Sequence, residues 1–516
     1  MKRRSFIKNL SLASLSLPFI SNGFGMQAIT KKLFGSSKNA EDRVLIIIRL
    51  NGGNDGLNMI IPLDQYDNLM IQRPNIILPQ NQILSLTNSV GIHPIMTGMK
   101  TMFDQGKLTV VQNVGYPEQN RSHFRSSDIW TSGSLDINQT SGWMGRYFES
   151  EQANFPEDYP NIDFPDPFAI SMGSELSTTC QGLMGNFSHA VSDPFNAANL
   201  LETSVENDGT YYGSQIEYIA TMLNQTNEYG NQISVASNSG NSLSTLYDPT
   251  NSIAVQLKYI AQMISGGLKT KVYILNINGF DTHDSQVLQT NTTQGEHADL
   301  LKKLSDAIAA FQNDLQLLGL EERVAGMTFS EFGRQVASNG SFGTDHGDAA
   351  PLFLFGKCVN SGIIGPNPQI NNQIDGQSGV EMEIDFRDVY ASILKDWFEV
   401  PVSSIQNLFE HNITFINVLS GCTLGLSEDE SLDLKNIVFP NPTPSNCTLK
   451  ITTLNERVSV YIYSITGQMI KEIGSKDLSE GTHLIPCETS ELPAGNYLIQ
   501  VIKNSGAISL KLQKIK

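Results

Sequence analysis

Four residues in two short clusters carry the clearest chemistry in this chain. Asp281 and His283 lie in Gly279-Phe280-Asp281-Thr282-His283, and Asp345 and His346 lie in Thr344-Asp345-His346-Gly347. Carboxylate oxygen and imidazole nitrogen are the donors that hydrolytic divalent metals use. Asp281 and His283 stand two apart, so in extended backbone both side chains point the same way. Asp345 and His346 are adjacent and diverge, which would let one pair serve two ions about 4 Å apart. A third acidic loop, Asn51-Gly52-Gly53-Asn54-Asp55-Gly56, offers Asp55 where glycines permit close approach. Together these clusters point to metal-assisted hydrolysis of an ester.

A second group of residues suits the reacting centre. Asn120-Arg121-Ser122-His123-Phe124-Arg125 opens a helical pattern. Ser122 there is an ordinary N-cap or an activated hydroxyl nucleophile, since backbone N–H groups and the helix dipole favour negative charge. His123 fits a ligand or a proton donor to the leaving group, and Arg121 or Arg125 a clamp on an anionic oxygen. Ser330-Glu331-Phe332-Gly333-Arg334 adds the Glu331 carboxylate and the Arg334 cation.

The elements that must position these residues read as strands alternating with helices. Continuous apolar runs at Val44–Ile48, Leu108–Val114, Val272–Ile277, Val324–Phe329 and Pro351–Phe355 suit strands buried on both faces. A helix from about Gly295 to Leu318 carries an apolar stripe through Leu300, Leu301, Leu304, Ile308, Phe311 and Leu315. The expectation is a mostly parallel α/β sheet flanked by helices, with its site along the carboxyl edge. Residues 190–250 are rich in Asn and Ser and read as an insertion. Within it, a helical piece near Ile216–Leu223 precedes a mobile segment from Asn224 to Asn241.

Composition narrows the remaining choices. The 516 residues exceed one ordinary core, and the net charge of −18 without a basic stripe argues against nucleic-acid partners. None of the five cysteines forms a CxxC pair, which sets aside thiolate zinc and thioredoxin-like chemistry. Cys447 and Cys487 stand together in the C-terminal region, as an exported pair or as two buried thiols. Lys2-Arg3-Arg4, followed by an apolar Ser-rich run, marks residues 1–30 as a signal peptide of twin-arginine or ordinary secretory type. No other apolar run is long enough to span a bilayer. The α/β region is expected over 43–412, an acidic linker over 413–435, and a small β-sandwich over 436–516, where short alternating strands are broken by Gly and Pro turns.

The last segment resembles the C-terminal sorting domain of bacterial type IX secretion substrates. The resemblance rests on Pro440-Asn441-Pro442, Ser464-Ile465-Thr466-Gly467-Gln468, Leu492-Pro493-Ala494-Gly495-Asn496-Tyr497 and Lys511-Leu512-Gln513-Lys514. It implies the type IX machinery as a partner and a secreted or outer-surface location, reached through the periplasm. Residues 44 to about 400 resemble the bacterial domain of unknown function 1501, placed in the alkaline phosphatase/sulfatase superfamily. The motifs that carry this are Arg49-Leu50-Asn51-Gly52-Gly53-Asn54-Asp55-Gly56, Arg121-Ser122-His123-Phe124, Ser141-Gly142-Trp143-Met144-Gly145-Arg146, Asp385-Phe386-Arg387-Asp388 and the clusters around 281, 331 and 345.

That resemblance implies an alkaline-phosphatase-like fold and a hydrolase of phosphate or sulfate esters, with a small-molecule or glycan ester as substrate. It implies Ser122 as nucleophile and Asp55, Asp281, His283, Asp345 and His346 as ligands of two divalent ions, with Zn, Mn, Mg and Ca all admissible. The superfamily's late histidine has no clear counterpart, and His411 is the residue to watch. The other reading is a non-catalytic surface protein that keeps the fold and binds glycan or a partner.

Overall fold

The structure is a computed structural model. It describes residues 42–515 apart from 153, 198–207, 420–421, 423–436, 454, 465–468, 480 and 504–505. The signal segment, most of the expected linker and Ile465-Thr466-Gly467-Gln468 lie outside the described residues. The chain divides into two compact units, residues 1–424 and 425–516.

The first unit runs β1 (Val44–Asn51), α1 (Gly56–Met59), β2 (Ile60–Pro62), α2 (Tyr66–Gln72), β3 (Leu84–Ser85), β4 (Val90–Ile92), α3 (Thr97–Asp104) and β5 (Leu108–Gly115). It continues with α4 (His123–Ser132), α5 (Trp143–Glu151), β6 (Ala169–Met172), β7 (Ser188–Val191), α6 (Tyr211–Ser239), α7 (Ser252–Ser265), β8 (Val272–Asn278) and α8 (Glu296–Leu317). It closes with β9 (Val324–Phe329), β10 (Ala350–Gly356), β11 (Gly362–Ile364), β12 (Ile384–Asp385), α9 (Phe386–Asp396) and α10 (Val402–Leu408).

Nine strands form one sheet in the order β11-β5-β10-β9-β1-β8-β6-β7, with β12 beside β5. All pairings are parallel except those of β10, which runs antiparallel to β9 and β5. The expected mostly parallel α/β sheet is therefore present. The apolar run of β1 shows why two helical layers are needed. Val44, Ile46, Ile48 and Leu50 enter one core with side chains of α3, α7 and α8, while Leu45 and Ile47 enter the other with α4, α5 and α9. Each such aliphatic side chain contributes about 1.5–3 kcal/mol on burial, so neither face can be left to water.

The Asn/Ser-rich insertion departs from expectation. The segment from Asn224 onward is not a mobile stretch but the second half of α6, a 29-residue helix whose N-cap Thr210 accepts from the Gly213 N–H. Its composition is poor in strong helix formers. Even so, Tyr229, Ile233, Ala236 and Ser237 are buried at helical spacing, and the helix packs on α7. Tertiary packing outweighs a propensity penalty of a few tenths of a kcal/mol per residue. Cys358 and Cys422 form a disulfide across 64 residues of sequence, a pairing the spacing did not suggest.

The second unit is all-β: β13 (Ile437–Phe439), β14 (Cys447–Thr453), β15 (Glu456–Ser464), β16 (Met469–Leu478), β17 (Gly481–Cys487), β18 (Gly495–Lys503) and β19 (Gly506–Lys514). They build two antiparallel sheets, β13-β14-β17 and β16-β15-β18-β19. Leu449 and Ile451 from one sheet share a core with Val458, Val460, Ile462, Ile499 and Val501 from the other. Among the described residues, no helix is long and apolar enough to cross a membrane.

Two buried imidazoles make stability depend on acidity. Burial pushes His93 down to about 3 and His297 to about 4, against about 6.5 in an unfolded chain. Below pH 6.5 the unfolded chain takes up protons that the folded chain refuses. The contribution is whole above pH 6.5 and is lost as pH falls toward about 4. Urea midpoints should therefore decline from pH 7 to 4.5, and the decline should be shallower in His297→Asn; a flat wild-type profile would contradict this.

Candidate metal centre

β1, β5, β8 and β9 run in one direction, so the loops that follow them leave the same edge of the sheet. β10 runs the other way, so the loop that precedes it arrives at that edge. The register Asn51↔Asn278 and Arg49↔Phe329 sets the exits of β1, β8 and β9 side by side. Close approach then demands glycine. Gly52 has φ +127°, and a Cβ there would sit 2.3 Å from the Asp281 nitrogen; one on Gly343 would sit 2.3 Å from the His283 carbonyl oxygen.

Three imidazoles and one carboxylate converge in this space. His346 Nε2 is 3.0 Å from Asp281 Oδ1 and 2.9 Å from His283 Nε2. His283 Nε2 is 3.2 Å from Asp281 Oδ1, and His123 Nε2 is 3.4 Å from Asp281 Oδ2. The ligand atoms of His123, Asp281 and His346 all lie within 4.8 Å of one another.

The other nitrogen of each ring decides what those Nε2 atoms carry. His346 Nδ1 lies 2.9 Å from the Arg121 carbonyl oxygen, which can only accept, so Nδ1 bears the hydrogen. His283 Nδ1 faces Asp345 Oδ1 at 2.9 Å, and His123 Nδ1 faces Glu331 Oε1 at 2.9 Å. With Nδ1–H donated each time, all three Nε2 atoms present lone pairs toward Asp281. The ring acceptors and the Asp281 carboxylate, which takes an N–H from Arg334 at Oδ1, thus turn lone pairs toward the same space, an arrangement a bound cation resolves. The donor set fits a divalent metal. All four side chains keep some exposure, from 23% at His346 to 45% at Asp281, so a small substrate can reach them.

Asp281 is held ionised. Burial works to raise its pKa, but the Arg334 guanidinium bonded to Oδ1 helps to outweigh that and hold it below the usual carboxylate range. The hydrogen bond from His283 lowers the pKa of Asp345, against partial burial.

Several expected site residues are engaged elsewhere. Asp55 is buried and takes hydrogen bonds from Arg73 at 2.9 and 3.1 Å, from Gln286 at 2.6 Å and from the Leu57 N–H at 3.2 Å. Both its oxygens are occupied, so it stands in a structural ion pair instead of the imidazole cluster. Asp345 orients His283 through Nδ1. Arg334 is 1% exposed and bonds the carbonyls of Gly52, Gly53, Phe280 and Thr344 as well as Asp281 Oδ1. It ties loops together and has no group left for a substrate. Arg121 forms a two-pronged pair with Asp348 at 2.9 and 2.7 Å and bonds the Gln377 carbonyl. Arg125 bonds the Leu135 carbonyl at 2.6 Å. His411 pairs with Asp388 at 3.1 Å.

Ser122 occupies the N-cap of α4, exposed, and its side chain makes no capping hydrogen bond. Glu331 is fully buried; Oε1 also accepts the Gly52 N–H at 2.9 Å, while Oε2 has no hydrogen-bond partner among the described residues. Arg49 went unnoticed as a site residue. It ends β1's apolar run, is 20% exposed, lies 3.8 Å from Glu331 and donates to Ser127 Oγ at 2.5 Å. Its signal was a cation one residue short of a glycine-rich loop at the sheet edge. Arg73, Gln286 and Asp348 had no such signal.

Residues 109–398, more than half of the chain, match the family model "Protein of unknown function (DUF1501)", and residues 437–515 match "Secretion system C-terminal sorting domain". No curated protein matches the sequence. Among solved structures, the chain is similar to a protein of the alkaline phosphatase superfamily from Vibrio parahaemolyticus, at TM-score 0.34 and 9% identity over 85% of this chain and 83% of that one. It is also similar to the PsFucS1 sulfatase from Pseudoalteromonas sp., at TM-score 0.31 and 10% identity over 92% and 86%. A third is the phosphonate monoester hydrolase SpPMH from Silicibacter pomeroyi, at TM-score 0.34 and 9% identity over 91% and 89%. Likeness at this level carries no residue-by-residue correspondence.

Two outcomes follow from the loop geometry. Glu331→Leu should weaken metal binding about 10–100-fold by isothermal titration, because His123 loses its orienting acceptor; unchanged affinity would refute that role. Arg334→Met should cost about 3–5 kcal/mol in urea unfolding, since it strips buried carbonyls and Asp281 of their donor.

Proposed function

This chain belongs to the DUF1501 family of proteins of unknown function, and we propose that it is an exported, metal-dependent hydrolase of phosphate or sulfate esters. The observation that supports this most is the convergence of three imidazole lone pairs on the Asp281 carboxylate at an open sheet edge. His123, Asp281, His283 and His346 would hold one ion. Three nitrogens and one carboxylate suit zinc and its neighbours better than calcium or magnesium, which prefer all-oxygen sets. One ion is favoured over two because Asp55 is committed to Arg73. Bound there, the ion would supply Lewis acidity toward an ester oxygen.

The chain's own residues supply the rest. Ser122 is the candidate nucleophile, exposed at the positive end of a ten-residue helix that favours its deprotonated form. Arg49, 20% exposed beside Glu331, is the cation suited to an anionic ester oxygen, since Arg121 is paired with Asp348 and Arg334 with Asp281. Glu331, Asp345 and the Arg121 carbonyl hold the three rings in one tautomer. Gly52 and Gly343 let the loops close enough for the rings to meet. The sorting domain at 437–515 directs the chain to secretion or the cell surface.

Metal analysis should find about one transition-metal ion per chain, reduced in His346→Ala and Asp281→Asn. A panel of phosphate mono- and diesters and sulfate esters, assayed with Zn, Mn, Mg and Ca, should reveal turnover that a chelator abolishes. Ser122→Ala should lower kcat about 10³-fold or more with metal content unchanged. Full activity in that variant would sink the covalent step. Metal binding without turnover of any ester would leave a non-catalytic surface protein.

A further inference from the structure

The C-terminal unit holds a second chemical feature, independent of the metal cluster. Cys447 begins β14 and Cys487 ends β17, and the ladder places them directly opposite each other. Directly opposed residues in an antiparallel pair lie about 4.5–5.5 Å apart at Cα. That falls inside the range of about 4.4–6.8 Å that a disulfide spans. Opposed residues also point to the same face of the sheet. Here it is the inner face: Cys447 is 4% exposed and Cys487 is 0% exposed, both within the core that includes Leu449 and Val460. Cys487 Sγ donates to the Ile485 carbonyl at 3.6 Å.

We infer that Cys447 and Cys487 are a disulfide site, open in a reducing compartment and closed when the chain enters an oxidising one on its way out of the cell. The chemistry is thiol–disulfide exchange with a protein disulfide donor. One cysteine thiolate attacks a donor sulfur to form a mixed disulfide, releasing one donor thiolate. The second cysteine thiolate then attacks its partner's sulfur and expels the other. Two S–H bonds are lost, one S–S bond forms, and two electrons reduce the donor to its dithiol. Exchange takes place before the strands pack, because the folded core covers both sulfurs. The bond closes a loop containing β15 and β16, so it ties the strands at one sheet's edge around the hairpin that forms part of the other. Its stabilisation comes mainly from restricting the unfolded chain.

The test uses the full chain, produced with its own signal and trapped by acid quench and alkylation. Digestion without reductant and mass spectrometry should show a peptide linking Cys447 to Cys487 in the exported fraction. The same two cysteines should be alkylated in chain made in a reducing cytosol. Alkylation of both in the exported chain overturns the inference, whatever the state of Cys358 and Cys422. A second measurement keeps that other disulfide apart. In a Cys358→Ala/Cys422→Ala background, reductant should lower the melting temperature of the C-terminal unit by roughly 10 °C. Adding Cys447→Ala should abolish the shift, and a shift that persists there would also overturn the inference.

Discussion

One buried guanidinium holds the candidate site together. Arg334 reaches carbonyls in the loops after β1 and β8 and before β10, and it completes the set with Asp281 Oδ1. A charge this deep is costly unless it is paired and every donor is used. Burial draws the Arg334 pKa below its usual value, and Asp281 works against that. The same contact fixes the Asp281 carboxylate in front of the imidazoles. Loop closure, charge compensation and ligand orientation are thus one interaction, which is why Arg334 does not serve as a substrate clamp.

The next level of order is the set of acceptors behind the rings. A carboxylate behind His123, another behind His283 and a backbone carbonyl behind His346 leave each Nε2 with its lone pair facing inward. Phe332 packs its ring 4.9 Å from that of His123 and 4.6 Å from that of His346, which limits rotation. Asp55 belongs to a different layer, where Arg73 and Gln286 neutralise and bind it. Gln286 also accepts from Thr282 and Thr344, so it links this layer to the loops that carry the ligands. The site is a partly exposed cluster of imidazoles and one carboxylate, each held from behind by an orienting group.

Much of this was legible in the residues themselves. The apolar runs at 44–48, 108–114, 272–277 and 324–329 are strands because a doubly covered sheet has no polar face to show. The spacing of Asp281 and His283 brought both to one edge. Elsewhere the residues misled. Asn224–Asn241 has the composition of a flexible stretch, yet Tyr229, Ile233 and Ala236 find a partner in α7 that no local pattern reveals. Asp55 looks like a ligand in its loop, and only the approach of Arg73 shows that both its oxygens are taken.

What the sequence by itself determined is the sheet, its two helical layers, the β-rich tail and the identity of the groups at the carboxyl edge. Periodicity and residue type are local, and they suffice for these. What only the tertiary structure decided is the job each group holds: His123 among the imidazoles, Asp345 behind one of them, Arg334 in the framework, and Cys447 opposite Cys487. A side chain's role depends on which partner saturates its hydrogen bonds. Those partners come from loops tens to hundreds of residues away, brought together only when the sheet closes.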